Sequence, residues 1–444
     1  MSVLDAPVGG APDLRPDGDA DEGSARQVKS PARSLAELAL VLVGVVALSM
    51  ATGQVDLLIV IACLVVMIMV HELGHFLAAK HGHMKVTEYF LGFGPRLWSF
   101  QRGETEYGVK AFPLGGYVKI PGMTNLEEVP PEDEVRTYRQ QPFHSRLLVA
   151  VAGSAMHFLM AFVLLWVLIS WVGLPSDSKV EVQQLVPIAG RPGPAQVAGL
   201  QPGDVIVSVD GRQVKGNPDV FIDATRSHAD RPETLVVSRD GVERTITVTP
   251  ADGRTAHETG VKVPAGTAPF GVIGVSLGAP TERMGPVTGL AHTGSDLVHF
   301  TWASIVGVAH LFSPAATVQR FGEVTSAKAA SQAAANGTRV SSVVGAVQTA
   351  KDAVHAGIGD LLIILISINL FVGIFNLFPM LPLDGGHVAI AVYEKVRTGR
   401  SKVQYHADVA KLLPYTWAMV AFLGILFATS LLTDLLHPAA NPFG

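Results

Sequence analysis

The pentapeptide His71-Glu-Leu-Gly-His75 carries three side chains capable of metal chemistry, and it lies within the apolar run "IVIACLVVMIMVHELGHFLAAKHGH" (59–83). On a helix, His71 and His75 are one turn apart and share a face, so both imidazoles can reach one ion. Glu72 lies about 100° around the axis and can touch a water beside that ion without binding the ion. The spacing therefore predicts a zinc site with Glu72 as the general base of a hydrolytic reaction.

The apolar surroundings strengthen this interpretation. The simpler alternative is a chance pentapeptide whose histidines are satisfied at a helix end. Ionisable side chains cost several kcal/mol in hydrocarbon, so they rarely occur in such a run without a function. The position of the motif therefore favours a site over a coincidence.

Zinc needs a third protein ligand and an open position for water. The candidates in this sequence are Asp384, His387, His157, His81 and His83. The predicted helices 55–79 and 359–380 both run inward, so the segment "NLFPMLPLDGGH" (376–387) reaches the depth of the two histidines. This places Asp384 beside them, whereas His81 and His83 are expected at the water interface. His157 is expected to line the site without binding the metal.

Composition excludes several other classes of protein. The formal charge of −5 and the absence of a basic stripe argue against nucleic-acid binding. The single cysteine, Cys63, rules out a disulfide within the chain and a zinc site of the CxxC type. Long apolar runs alternate with polar stretches over 444 residues, which is typical of a membrane protein with a water-soluble insert.

The apolar runs predict a polytopic α-helical membrane protein. Four core transmembrane helices are expected from the runs at 55–79, 147–173, 359–380 and 415–432. A further run at 35–52 is interpreted as a membrane anchor, and the alternative is the hydrophobic part of a signal peptide. The preceding residues 1–34 have the composition of a disordered tail.

Basic residues set the expected orientation. Segments 80–146 and 394–402 are rich in lysine and arginine and should stay in the cytoplasm. The long segment 174–357 then falls outside, and the zinc motif lies towards the cytoplasmic side.

Two of the connecting segments have β character. Residues 177–252 contain a helical turn at "GPAQVAGL", the strand "VIVSV" ending in Asp-Gly, and the hairpin "TLVVSRDGVERTITVTP", which together predict a small α+β domain. The connector at 253–357 is expected to hold an amphipathic helix after Pro286 and a flexible linker at 322–337. In 88–123, "TEYGVKAF" and "GYVKI" predict a hairpin turning at "PLGG". Its apolar side chains suit a membrane-associated hairpin, and a small soluble hairpin is the alternative.

Together these motifs resemble the site-2 protease family of intramembrane zinc metalloproteases, in particular its bacterial branch similar to the regulator of sigma-E protease. The resemblance is carried by "HELGH", "NLFPMLPLDGGH", "LGFGPRLW" (91–98) and "PLGGYVKIPGM" (113–123), and it covers about 55–434. It divides the protease core between 55–173 and 358–434. The segment "GPAQVAGLQPGDVIVSVDG" (193–211) resembles a PDZ domain.

The resemblance implies a function and a set of site residues. It implies cleavage of single-pass membrane proteins of the anti-sigma-factor type within the bacterial inner membrane. His71, His75 and Asp384 would bind Zn²⁺, and Glu72 would be the catalytic base. It further implies that a hairpin edge meets the unwound substrate and that Asn376 helps to hold the peptide. The hairpin residues concerned are Gly115, Gly116, Tyr117 and Val118.

One departure concerns the helix after the hairpin, where the family often has Gly-Pro and an asparagine. This chain has "GSAMHF", with Ser154 and His157. Two other classes stay open: a membrane metal transporter, which would also use intramembrane histidine and aspartate, and a PDZ-bearing adaptor without catalysis. An open ligand position beside a glutamate suits hydrolysis better than transport.

Overall fold

The computed structural model describes residues 31–123, 127–255, 267–399, 405–439 and 441. Its helices are α1 (Pro31–Ala51), α2 (Val55–His81), α3 (Pro131–Glu134), α4 (Phe143–Val167), α5 (Pro194–Val197), α6 (Pro218–Ser227), α7 (Pro286–Leu311), α8 (Pro314–Thr325), α9 (Ala327–Ala335), α10 (Val343–Ala356), α11 (Ile358–Asn376), α12 (Asp384–Thr398) and α13 (Leu413–Leu436). Its strands are β1 (Glu88–Arg102), β2 (Thr105–Lys119), β3 (Leu174–Pro175), β4 (Val180–Leu185), β5 (Val205–Val209), β6 (Arg212–Gln213), β7 (Glu233–Arg239), β8 (Val242–Val248), β9 (Ala251–Asp252), β10 (Gly271–Val272), β11 (Val275–Gly278) and β12 (Thr281–Glu282).

Five helical segments in the described ranges are long and apolar enough to cross a membrane. They are Ser34–Ala51, Val55–His81, Phe143–Val172, Ile358–Asn376 and Val409–Leu436. The chain is thus a multi-pass membrane protein, and each predicted apolar run is helical over most of its length, although α11 ends at Asn376, within the run predicted at 359–380. Most of the predicted tail, residues 1–30, lies outside the described residues, whereas residues 31–34 already belong to α1.

The core helices pack closely because glycines face their neighbours. A Cβ atom at Gly74 on α2 would lie 2.5 Å from the carbonyl oxygen of Ala152 on α4. A Cβ at Gly373 on α11 would lie 3.0 Å from the Cβ of His157, also on α4. Contacts this short require a hydrogen in place of a side chain, so α4 lies tightly between α2 and α11.

Strands β1 and β2 form a sheet with three main sets of paired residues rather than a simple hairpin. Residues 88–91 pair with 116–119 and also with 106–109, and residues 98–102 pair with 105–109. The tight turn is at Gly103, where φ is 64°, and the predicted turn at 113–116 is wrong because this stretch lies inside β2. Residues 113–116 are extended. Their glycines do not form a turn but leave room for neighbouring side chains.

The domain between α4 and α7 is built on a sheet in the order β11-β4-β5-β7-β8, with β6 beside β5. Fully buried Val182, Phe221 and Leu235 belong to its core. The predicted strands and hairpin are present, but β11 (Val275–Gly278) lies beyond the expected boundary at residue 252. A four-residue strand after a glycine-rich stretch shows no alternating pattern, so the sequence did not reveal it.

The segment expected to be an extracytoplasmic connector contains helices packed on the membrane core. Residues 256–266 lie outside the described part. α7 follows Pro286 as predicted, and the Pro286 carbonyl accepts a hydrogen bond from Trp166 Nε1 at 2.9 Å. α8 bends away from α7 by 77°, and the two together are apolar enough for a broken span or a re-entrant loop. Phe312 between them stacks on Phe378 at 4.2 Å.

The flexible linker expected at 322–337 is wrong. α8 continues to Thr325, and α9 covers Ala327–Ala335. Ser326 caps α9 by accepting a hydrogen bond from the backbone amide of Ala329. Alanine has the highest helix propensity, so this alanine-rich stretch forms a helix once it is capped.

Candidate metal centre

His71, His75 and Asp384 come together although they lie far apart in sequence. The Nε2 atoms of the two histidines are 3.2 Å apart. Asp384 Oδ2 lies 3.4 Å from His71 Nε2 and 3.3 Å from His75 Nε2. The histidines belong to successive turns of α2, and Asp384 is the first residue of α12. Three ligand-type atoms therefore form a nearly equilateral triangle.

This triangle has the size that zinc requires. Zinc bonds of about 2.0–2.1 Å in a tetrahedron separate neighbouring ligand atoms by about 3.3 Å. In addition, Asp384 Oδ2 is buried and has no hydrogen-bond partner within the described part of the chain. A buried carboxylate oxygen without a partner is costly unless a cation compensates it. The three residues therefore fit zinc and leave its fourth position open.

The surrounding backbone orients these side chains. His75 Nδ1 donates a hydrogen bond of 2.8 Å to the carbonyl oxygen of Val149, which leaves Nε2 free for a metal. Asp384 lies at the N-terminus of α12, where the helix dipole favours a negative charge. The segment before α12 contains Pro379 and Pro382, which keep it from continuing α11.

Gly153 leaves room for the imidazoles. A Cβ atom at this position on α4 would overlap both His71 and His75. We predict that Gly153→Ala displaces at least one imidazole and costs about 1–3 kcal/mol in packing, with a loss of bound zinc. Metal analysis and thermal unfolding of the purified protein measure both effects.

Gly44→Ala and Gly424→Ala serve as matched controls, because nothing lies within 4 Å of a Cβ at either membrane-helix glycine. Equal zinc content in Gly153→Ala and in these controls would show that α4 does not constrain the ligands.

Glu72 lies between the metal ligands and β2. Its carboxylate interacts electrostatically with His75 and Asp384, and it accepts a hydrogen bond from the backbone amide of Val118. A Cβ at Gly116 would lie 3.1 Å from Glu72 Cγ. The sheet therefore fixes the carboxylate beside the metal position, where a water or a substrate can reach it.

The other candidate ligands lie outside the triangle. His81 and His83 are exposed near the end of α2, as expected. The ring of His387 instead faces the Tyr138 ring at 6.3 Å. His157 is buried with its ring 4.9 Å from that of His71, and it lines the site.

Asn369 and Gly153 were not identified from the sequence. Asn369 is completely buried, and its amide donates to the carbonyl oxygen of Leu365 at 2.8 Å. Its Oδ1 therefore accepts the 2.9 Å hydrogen bond from His157 Nδ1. An asparagine in the apolar run "ISINLF" could have indicated such a partner, since buried polar groups need one.

The residues expected to bind substrate differ in their surroundings. A Cβ at Gly115 would lie 3.0 Å from the Phe93 ring. The Tyr117 hydroxyl donates a hydrogen bond to Glu88 and accepts one from Lys110 Nζ, so both partners of this side chain belong to the β1–β2 sheet. Asn376 is the half-buried last residue of α11.

Charged side chains near the β1–β2 turn also form pairs. Glu104 accepts hydrogen bonds from Arg136 and Lys80, and these cations hold the pKa of its carboxyl at about 2. This network ties the β1–β2 turn to the end of α2 and to the segment before α4.

Comparison with known proteins finds a peptidase family and several metalloproteases that are similar to this chain. Residues 59–421 match the model of peptidase family M50. The chain is 34% identical over 404 residues to the zinc metalloprotease Rip1 of Mycobacterium bovis, covering 86% of this chain and 97% of the relative. It is 32% identical to Rip1 of Mycolicibacterium smegmatis, covering 84% and 96%. The probable membrane metalloprotease ARASP2 of Arabidopsis thaliana is 29% identical, covering 76% of this chain and 71% of the relative.

Proposed function

Because the chain belongs to peptidase family M50, we propose that His71, His75 and Asp384 bind its zinc and that Glu72 is its catalytic base. The protein is an intramembrane zinc metalloprotease of the multi-pass type. The observation that carries the assignment of residues is the triangle of ligand atoms, with sides of 3.2, 3.3 and 3.4 Å.

The zinc ligands and Glu72 have different roles in hydrolysis. Zinc held by His71, His75 and Asp384 would supply Lewis-acid chemistry, polarising a peptide carbonyl and acidifying a water. Glu72 takes a proton from that water and passes it to the leaving amine. The Val118 amide holds the Glu72 carboxylate in place throughout. The buried hydrogen bond from His157 to Asn369 orients the His157 ring beside that of His71.

The edge of the β1–β2 sheet offers the substrate a backbone partner. The Val118 amide donates to Glu72, whereas the Lys119 carbonyl accepts from the Thr87 amide, and alternate residues of a strand direct their backbone groups to the same side. Gly116 and Val118 therefore direct their backbone groups towards Glu72 and the cleft. A transmembrane helix must unwind before it can be cut, and pairing with this edge would replace its lost hydrogen bonds.

Val118→Pro tests whether the edge of the β1–β2 sheet takes part in cleavage. Proline removes the amide that reaches Glu72 and interrupts the strand, so we expect cleavage to fall roughly tenfold or more with zinc content unchanged. The assay measures cleavage of a single-pass anti-sigma-factor-type protein in detergent, since the resemblance supports this substrate class.

Val118→Ala keeps the amide and should cleave at the wild-type rate. If Val118→Pro cleaved as fast as Val118→Ala, the edge strand would have no role in the mechanism. A wild-type protein that cleaves other membrane proteins but leaves this substrate intact would refute the substrate class alone.

The orientation proposed from the basic segments places the zinc towards the cytoplasm and the domain built on β4–β11 outside. The helical turn α5 and the motif at 193–211 support a PDZ-like fold for this domain. We predict that a cysteine at Asp240 reacts with an impermeant maleimide in intact bacteria, in a Cys63→Ser background. A cysteine at Lys395 should react only after lysis. Both positions are exposed, so the reverse pattern would invert the topology.

A further inference from the structure

A second group of ligand-type side chains lies in the domain built on β4–β11, far along the chain from the catalytic motif. Asp210 follows β5 in the Asp-Gly turn, His228 follows α6, and Glu233 begins β7. One ligand atom from each residue lies within 4.8 Å of the others. Tertiary structure brings these residues together, and no short motif in the sequence reveals them.

Glu233 is the informative member of this group. The residue is only 1% exposed, and its Oε1 accepts a hydrogen bond of 2.9 Å from Thr225 Oγ1. Its Oε2 is buried and has no hydrogen-bond partner within the described part of the chain. Burial raises the pKa of the Glu233 carboxyl, although the Thr225 hydrogen bond opposes the rise. A buried carboxylate oxygen in this situation needs either a proton or a cation.

The other two side chains are held with one atom towards the group. His228 Nδ1 donates to the carbonyl oxygen of Ala224 at 2.8 Å, so its Nε2 carries the free lone pair. Asp210 Oδ1 accepts the backbone amide of Thr234 at 2.8 Å, while Oδ2 lies 3.3 Å from His228 Nε2. Each ligand is thus positioned through its second polar atom, as in metal sites whose ligands are oriented by outer hydrogen bonds.

We propose that Asp210, His228 and Glu233 bind a zinc ion, separate from the catalytic one. One imidazole nitrogen and two carboxylate oxygens form a donor set that suits zinc and disfavours magnesium or calcium, which prefer oxygen alone. Asp210 and His228 are partly exposed, so water can complete the coordination. The ion would link the β5–β6 turn, the end of α6 and the start of β7, and it would stabilise the domain.

The competing arrangement needs no metal. In it, a protonated His228 pairs with Asp210, and Glu233 keeps a proton on Oε2. Surface ion pairs of this kind contribute little to stability. The two arrangements differ in zinc content, so metal analysis separates them.

The experiment uses the full-length protein in detergent, stripped with a chelator, reloaded with zinc alone and freed of excess by gel filtration. We expect about two zinc ions per chain in the wild type and about one in Glu233→Gln. Asp210→Asn should behave like Glu233→Gln, since it keeps the oxygen that accepts the Thr234 amide and removes the charge. Asp240→Asn is the matched control, because Asp240 occupies a similar Asp-Gly turn with positive φ, between β7 and β8.

The Asp384→Ala background separates this proposal from that for the catalytic centre. In this background we expect about one zinc ion per chain and a rise in the unfolding temperature when zinc is added. Adding Glu233→Gln should remove both the ion and the rise. Zinc content that is identical with and without Glu233→Gln in both backgrounds would overturn the second site. Asp210→Asn, at a partly exposed turn, decides the question if Glu233→Gln does not fold.

Discussion

Glu72→Gln is expected to stop peptide-bond hydrolysis while zinc stays bound. Glutamine preserves the shape of the side chain and can still accept the hydrogen bond from the Val118 amide. It cannot take a proton from water, and general-base catalysis contributes roughly 10²–10⁴-fold to rates. The measurement pairs cleavage of a membrane-embedded substrate with metal analysis of the same preparation.

Glu132→Gln is a suitable control, because Glu132 is exposed in the first turn of α3. It should keep both zinc and activity. If Glu72→Gln cleaved at the wild-type rate, Glu72 could not be the base, even though the metal assignment would stand. Loss of zinc together with activity would instead show that Glu72 has a structural role at the centre.

Asp384→Ala is expected to remove both the catalytic zinc and the activity. The change deletes one of three ligands and leaves His71 and His75 with a site too weak to retain zinc through purification. Cleavage should fall below detection, and the protein should lose about one zinc ion relative to the wild type. Asp384→Glu would report on geometry, since it keeps the charge on a longer side chain.

Asp352→Ala controls for the loss of an aspartate from a helix of the same chain. Asp352 accepts a hydrogen bond from Gln348 one turn earlier on α10 and lies outside the metal triangle. Its zinc content and cleavage rate should match those of the wild type. A fully active, zinc-loaded Asp384→Ala variant would disprove the proposed ligand set.

The helices of the core were predictable because membrane spans consist of long apolar runs with few charges. The proximity of Asp384 to the histidines was also predictable, since two helices that cross the membrane in the same direction bring their ends to one depth. The structure confirms this proximity at 3.3–3.4 Å. The roles of the residues stay proposals that the metal and cleavage experiments test.

The errors arose where tertiary contacts override local signals. Residues 113–116 contain a proline and two glycines, yet they stay extended because β2 packs against β1 and α2. The alanine-rich stretch around Ala330 looked flexible, but its helix buries Ala330 and Ala333. The asparagine in the apolar run indicates that Asn369 needs a partner, but the sequence does not show that this partner is His157 on a helix distant in sequence.

The distance along the chain between α2 and α12 has a consequence for biosynthesis. With Asp384 as the third ligand, the growing chain makes both histidines first and the aspartate only after α4, α7 and α11. A nascent or truncated polypeptide would therefore lack a complete metal-binding centre. Hydrolytic competence would arise only after α12 has been made, which would protect the host membrane from partially made enzyme.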